Sequence, residues 1–288
     1  LRYSSSNGTD FTVQLIPGTK VLIIGAGLIG LKCAEALHHL NADITVVDLA
    51  DRILPSILDV RAGEIMQKHI EDKGTKFILG TSVEQFSKNS AKLTNGETVD
   101  FDILVIAVGV RPNTELVSDA GGKVEKGIIT DLHQQTTIDN VYAAGDCTVS
   151  HDCSSNTDRI LALLPNAFMQ GEVAGKNMAG EETLYLNAIP MNAIGFYGLH
   201  IITAGSYDGD EDITEDADKE IYKKLVFKDG LLKGFILMGD VARAGIYTSM
   251  IKEQIPLTEV DLDLLRDKPQ MMMFGKARRE EKLAGKKH

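Results

Sequence analysis

At 288 residues with 43% hydrophobic content, the chain is long enough to bury a sizeable core and to hold two or three domains. A net charge of −11 excludes a basic nucleic-acid face, and no apolar run approaches the roughly 20 residues of a membrane-spanning helix. Three cysteines, Cys33, Cys147 and Cys153, with no C-x-x-C pair and no signal-peptide pattern, fit a reducing, cytoplasmic setting.

Residues 1–16 are polar and turn-rich, with Leu1 where an initiator Met would stand, and read as a linker or the remnant of a processed chain. The stretch Lys20 to Leu40 then organises everything that follows. An apolar strand, Val21 to Ile24, enters the turn Gly25-Ala26-Gly27-Leu28-Ile29-Gly30 and leaves it as a helix with Leu31, Ala34, Leu37 and Leu40 on one face. Strand, G-x-G-x-x-G turn and helix form a dinucleotide cradle. Gly25 allows the tight turn, Gly27 the approach of a pyrophosphate, and Gly30 close packing of helix on strand, while the N–H groups around Leu28 and Ile29 face the phosphates. Asn41 ends the helix, Ala42 to Val47 is the second strand, and Asp48 closes it 48 − 30 = 18 residues after the last glycine. An acid there holds the ribose hydroxyls and repels a 2′-phosphate, which favours NADH over NADPH; the nearby Arg52 softens that preference.

Residues 60–72 form an amphipathic helix, followed by short strands at Lys76 to Leu79, Val83 to Phe86, Ala91 to Thr94 and Thr98 to Phe101, with Asn95-Gly96 as a hairpin turn. Ile103 to Val108 is fully apolar, the pattern of a parallel strand buried on both faces. Gly109 follows at the carboxyl end of that strand, on the ligand side of a doubly wound sheet, or serves as a plain turn before Pro112. Residues 17–110 thus read as a doubly wound, Rossmann-type α/β domain.

Beyond it, Gly127 to Thr130 is a short strand and Val141 to Cys147 (VYAAGDC) a strand ending in Gly145-Asp146. Pro165 and Asn166 start a helix that runs to about Met178, with an N-terminus suited to an anion. Cys33 reads as a small hydrophobe, whereas Cys147 and Cys153 flank a loop and are open to reactivity.

GAGLIG at 25–30, AVGVRPN at 107–113, VYAAGDC at 141–147 and LLPNAFMQGEVAGKNMAG at 163–180, in this order, resemble the pyridine-nucleotide-dependent flavoproteins of the disulfide-reductase fold, in the branch of NADH oxidases, nitrite reductases and rubredoxin reductases. The resemblance runs from about residue 17 to 255. It implies that residues 25–30 and Asp48 hold NAD(H) and that Gly109 lines its path. Asp146, after Gly145, would meet the FAD ribityl and phosphate region, and the helix opening at Asn166-Ala167 would point at the pyrimidine edge of the flavin. Hydride would pass from NADH to FAD and electrons onward to a small redox protein such as rubredoxin, to oxygen, or to a nitrite-reductase-type partner. Residues 111–187 would be the second half of a FAD-binding domain, and 188–268 a small α+β domain that forms homodimers in relatives.

The family's first flavin segment carries its own G-x-G-x-x-G, and no second such motif occurs here. The alternatives are therefore an NAD-binding module without bound FAD or catalysis, or a disulfide reductase or NADH peroxidase relative whose active cysteine belongs to that segment. Lys32, where many members have Glu, reads as a solvated helix residue, and no catalytic side chain is assigned.

In the last third, strands at Met191 to Gly195, Leu199 to Gly205, Ile221 to Phe227 and Leu231 to Met238, a hairpin turn at Asp229-Gly230, and a helix capped by Asp240 are expected. The acidic run Asp208 to Glu220 reads as a solvated loop. Its Asp208, Asp210 and Asp212 mimic a calcium loop, but Ile213 and Lys219 stand where glycine and glutamate are required, so no metal site is expected. Residues 269–288 read as a charged tail, and His38, His39 and His151 as surface residues.

Overall fold

The computed structural model describes residues 2–4, 10–12 and 16–284, so the predicted linker and the last residues of the tail lie largely outside the described residues. Strands β1 (Arg2–Ser4) and β2 (Asp10–Thr12) pair antiparallel. The chain divides into two compact units: Leu1–Val110 with Gly195–Leu199, and Arg111–Ile194 with His200–His288.

The first unit is built on β3 (Lys20–Ile24), α1 (Leu28–His38), β4 (Asp43–Val47), α2 (Val60–Glu71), β5 (Lys76–Ile78), a meander of β6 (Val83–Phe86), β7 (Ser90–Leu93) and β8 (Thr98–Asp100), and β9 (Ile103–Ile106). The four strands β5-β4-β3-β9 form a wholly parallel sheet. Alternation along β3 sends Leu22 into a cluster with Val47, Ala91, Leu93 and Phe101, on the meander's side. Ile23 points the other way, toward the start of α1, where it would meet a Cβ on Gly30 at 3.4 Å. Leu31, Ala34 and Leu37 are buried as expected, and Asn41 ends the helical segment at a φ of 56°.

Burial of β9 on both faces is not observed. The strand is the sheet's edge, pairing only with β3, and Ile106 and Val108 stay 63% and 71% exposed. An apolar run reports that a strand has apolar surroundings somewhere, and does not say which neighbour supplies them.

The second unit contains α3 (Glu115–Asp119), a sheet of β10 (Ile128–Ile129), β11 (Thr148–Asp152) and β12 (Thr157–Ile160), and the long helix α4 (Leu164–Met178). A five-stranded sheet follows, from β13 (Met191–Phe196), β14 (Leu199–Gly205), β15 (Asp210–Asp216), β16 (Ile221–Lys228) and β17 (Leu231–Met238), in the order β13-β14-β17-β16-β15. Helices α5 (Ala244–Lys252), α6 (Leu262–Asp267) and α7 (Lys276–Ala284) complete the chain. The core beneath that sheet centres on Phe235 and Tyr247, whose ring centres lie 5.4 Å apart. Asp229 and Gly230 take φ values of 54° and 71°, the conformation a two-residue hairpin between twisted strands demands.

Three local expectations are corrected here. The segment Val141–Ala144 forms no ladder: Tyr142 makes one isolated bridge to Gln135, and the loop at Gln134–Thr136 takes the remaining bonds. The acidic run is no loop: Asp210–Asp216 pairs antiparallel with β16 as the edge strand β15, and cations from β16 and α6 offset the charge of the run. Lys224 meets Glu211 at 2.5 Å, Arg266 meets Asp212 at 2.6 Å, and Lys228 meets Asp208 at 2.7 Å. Asp240 caps nothing; its carboxylate takes the N–H of Ala242 at 3.0 Å, and α5 begins after Arg243 at a φ of 64°.

Candidate functional site

In the first unit, β3 delivers the chain into the glycine turn at the carboxyl end of the parallel sheet. The three glycines answer to different constraints. A Cβ on Gly25 would stand 2.3 Å from the carbonyl oxygen of Ala107, and φ there is 112°, so no other residue fits. A Cβ on Gly30 would stand 1.9 Å from the carbonyl oxygen of Gly25, so helix and turn touch only because that side chain is missing. Gly27 is different: φ is −83°, and a Cβ would meet nothing within 4 Å. The fold has no use of its own for a glycine there, and the open space is what a dinucleotide backbone would fill.

Gly27 is also the N-cap of α1, and no side chain caps that helix or places an acid in its first turn. Its leading N–H groups therefore stay available to phosphate. Leu28 is half-buried and Ile29 is 57% exposed beside them. Asp48 is half-buried at the end of β4, with one carboxylate oxygen accepting the Ala26 N–H at 2.6 Å and the other the Ala50 N–H at 2.7 Å. The carboxylate is thereby fastened to the glycine turn, with lone pairs left for sugar hydroxyls. Arg52 lies against Asp51 at 3.2 Å, and Gly109 has a φ of 107° with free space around its Cα.

Lys32 is exposed, as expected of a solvated helix residue, but its ammonium is partnered. Its Nζ reaches Glu35 at 2.6 Å and the Gly195 carbonyl at 2.5 Å, and lies 5.0 Å from the centre of the Phe196 ring. Glu35 in turn accepts the N–H of Tyr197 at 2.6 Å. Tyr197 packs edge-on against His38 at 5.2 Å, which corrects the reading of His38 as a bare surface residue. None of these partners of α1 was legible in the sequence, because the partner turn lies about 160 residues downstream.

In the second unit, Gly145 has a φ of 89° and turns the chain so that Asp146 is exposed. Its N–H donates to Oε1 of Gln170 at 2.6 Å, and its carbonyl accepts both the N–H and the hydroxyl of Thr148. Helix α4 begins with Pro165 in its first turn and no side-chain cap, a start open to an anion. Ala167 is half-buried, its Cβ 3.7 Å from where a Cβ on Gly145 would be. Asn166 is fully buried and spent on the fold: Nδ2 donates to the Ile189 carbonyl and Oδ1 accepts the Tyr185 hydroxyl, each at 3.0 Å. Any part Asn166 plays toward a ligand thus falls to its backbone. The signal for Gln170 was available, since it falls on the same helix face as Asn166, Val173 and Ala174, where an apolar residue is expected.

A cavity of about 410 Å³ between Thr130, Gln134, Ser150 and Tyr185 lies in the same unit and is lined by none of the predicted site residues. All three cysteines are free thiols. Burial, with the Asp152 carboxylate beside it, pushes the Cys153 thiol up and away from reactivity. Among the described residues, no cluster of three or more His, Cys, Asp or Glu side chains is placed to hold a metal ion. No helix among them is long and apolar enough to cross a membrane.

The model of the pyridine nucleotide-disulphide oxidoreductase family matches residues 4–171, and that of the rubredoxin NAD+ reductase C-terminal domain matches 190–255. The epsilon subunit of the NADH-dependent phenylglyoxylate dehydrogenase of Aromatoleum evansii is 32% identical over 250 residues, 83% of this chain and 59% of that protein. The rubredoxin-NAD(+) reductase of Acinetobacter baylyi is 30% identical over 254 residues, 85% of this chain and 61% of the relative. The chain therefore spans about three fifths of the length of these two curated relatives. Among solved structures, a NAD-dependent persulfide reductase from A. fulgidus superimposes with a TM-score of 0.76 at 26% identity, covering 84% of this chain and 50% of that one.

Proposed function

The chain belongs to the pyridine nucleotide-disulphide oxidoreductase family, and from that premise we propose that it is the NADH-binding and partial flavin-binding portion of an NADH-dependent FAD oxidoreductase. The observation that carries the proposal is the empty approach at Gly27 beneath an uncapped helix start, with Asp48 fastened to the same turn. When bound, NADH supplies a hydride and FAD the group that accepts it and passes electrons on.

The residues of this chain bind and orient. The N–H groups of α1 face the pyrophosphate, Gly27 admits it, and the Asp48 side chain takes ribose hydroxyls while disfavouring a 2′-phosphate. In the second unit, the exposed Asp146 and the uncapped start of α4 are the groups offered to FAD, with the helix dipole favouring negative charge on the pyrimidine edge. The name of the Acinetobacter relative supports a small redox protein as the final acceptor. A homodimer formed through the last domain and a cytoplasmic setting, suited to three free thiols, belong to the same proposal.

Titration with NADH tests it. Nucleotide fluorescence should shift to the blue and be quenched, with weaker binding of NADPH; equal affinity for both would overturn the role of Asp48. A yellow purified protein, or NADH turnover with added FAD, supports the enzyme. A second reading, an NAD-binding module without catalysis, is favoured by Val141–Ala144, which lacks a ladder partner among the described residues. A colourless chain that binds NADH and turns over nothing would select that reading.

A further inference from the structure

Helix α4 carries two buried amides one turn apart, Asn166 and Gln170, which are 0% and 1% exposed. The first ties the helix to Ile189 and Tyr185. The second reaches the opposite way, to the turn at Gly145. That N–H can only donate, so the Gln170 oxygen must face it, which leaves the amide nitrogen to donate to the Ser150 hydroxyl. The Gly145 carbonyl is occupied by Thr148, at 3.0 Å from its N–H and 2.8 Å from its hydroxyl. Both faces of this glycine's backbone are therefore held, one by the turn itself and one by a side chain from α4.

We propose that Gln170 is a positioning residue that sets the Gly145-Asp146 turn against the N-terminus of α4, so that the exposed carboxylate and the helix start meet one flavin in register. The proposal rests on the flavin reading above. A glutamine is suited to the task because it offers an acceptor to a main-chain donor and a donor to a hydroxyl at the same time. An apolar side chain of the same length would leave both the Gly145 N–H and the Ser150 hydroxyl without this partner.

The test uses the full chain with added FAD and three variants. Gln170→Met keeps the length and removes both bonds, Gln170→Glu keeps an acceptor at the Gly145 N–H, and Ser150→Ala removes only the second bond. Hydrogen exchange of the Gly145, Asp146 and Cys147 amides should quicken at least tenfold in Gln170→Met, with the amides of the first unit unchanged. FAD should bind at least tenfold more weakly to Gln170→Met, and within about threefold of wild type to the other two.

A mis-aimed helix start costs the anionic reduced flavin more than the oxidised form. The bound flavin potential should therefore fall in Gln170→Met, by about 30 mV for each tenfold difference between the two affinities. An equal loss of both forms, with no change of potential, would reduce Gln170 to a packing residue and overturn the proposal. Unchanged exchange at the turn would also overturn it, whether or not FAD binds. Wild-type chain that fails to bind FAD overturns the flavin reading instead, and the exchange measurement then decides whether Gln170 positions the turn.

Discussion

The carboxylate of Glu35 accepts the backbone N–H of Tyr197 at 2.6 Å, joining helix α1 to a turn 162 residues away in sequence. Its other oxygen holds Lys32, also at 2.6 Å. Burial pushes this carboxyl up, but the Lys32 ammonium and the Tyr197 N–H outweigh it and hold the group below its ordinary 4.5. With a depressed folded pKa, the stabilisation is in place above pH 4.5 and is lost as pH falls through the lower folded value. Glu35→Ala should cost about 1.5–3 kcal/mol at pH 7, as hydrogen bonds to charged groups do. The gap between variant and wild type, read by urea unfolding, should shrink in acid. A gap that stays constant down to pH 3 would contradict the pairing.

Gly27 and Gly30 should separate binding from folding. At Gly27 a Cβ meets nothing within 4 Å, so Gly27→Val should lose no more melting temperature than a poorer N-cap residue costs, while weakening NADH at least tenfold, seen as lost fluorescence quenching. At Gly30 a Cβ lands 1.9 Å from a backbone oxygen, so Gly30→Ala should lower the melting temperature by several degrees. Equal melting loss in both would mean that the turn has no reserved ligand space.

Tyr185 and Tyr247 bear on the alkaline limit. Burial pushes the Tyr247 phenol up to about 12, and raises Tyr185 further. Unfolded phenols ionise near about 10. Both tyrosines therefore contribute stability that is complete below pH ~10 and is lost as pH rises beyond it. Ultraviolet titration should show these two lagging behind the exposed tyrosines, and Tyr247→Phe should flatten the alkaline fall in stability. In neutral solution Tyr185→Phe should cost about 1–3 kcal/mol, since it orphans the buried Oδ1 of Asn166.

The edge strand β15 is protected by charge. Asp210 and Glu215 are exposed on it, and a neutral β-branched residue at both positions would remove two of its five carboxylates and weaken the charge that discourages edge-to-edge pairing. The double variant Asp210→Val with Glu215→Val should show concentration-dependent association beyond wild type in light scattering. An unchanged distribution of sizes would indicate that twist, not charge, guards this edge.

Much of the architecture follows from local pattern alone. The glycine turn, its flanking strand and helix, and the Asp229-Gly230 hairpin are readable because backbone sterics at a few residues force one conformation whatever surrounds them. The matches to family models agree with the resemblance carried by four short motifs, and the mixed α/β class with a parallel sheet is as expected. Where a segment's fate depends on a neighbour, local pattern misleads. Asp210–Asp216 is a strand because it pairs with β16, where Lys224, with Arg266 of α6, offsets its charge, and Val141–Ala144 makes only an isolated bridge because its backbone groups bond to the loop at Gln134–Ile138.

By itself, then, the sequence determined the glycine turn, the strands and helix that flank it, and the family, because each is written in residue type and spacing along a few turns of chain. Tertiary structure decided what the buried polar side chains do: Gln170 on Gly145, Asn166 on Tyr185 and Ile189, and Glu35 between Lys32 and Tyr197. A hydrogen bond needs its partner within about 3 Å in a fixed direction. No period in the sequence encodes which distant donor or acceptor the packed core will bring to that point.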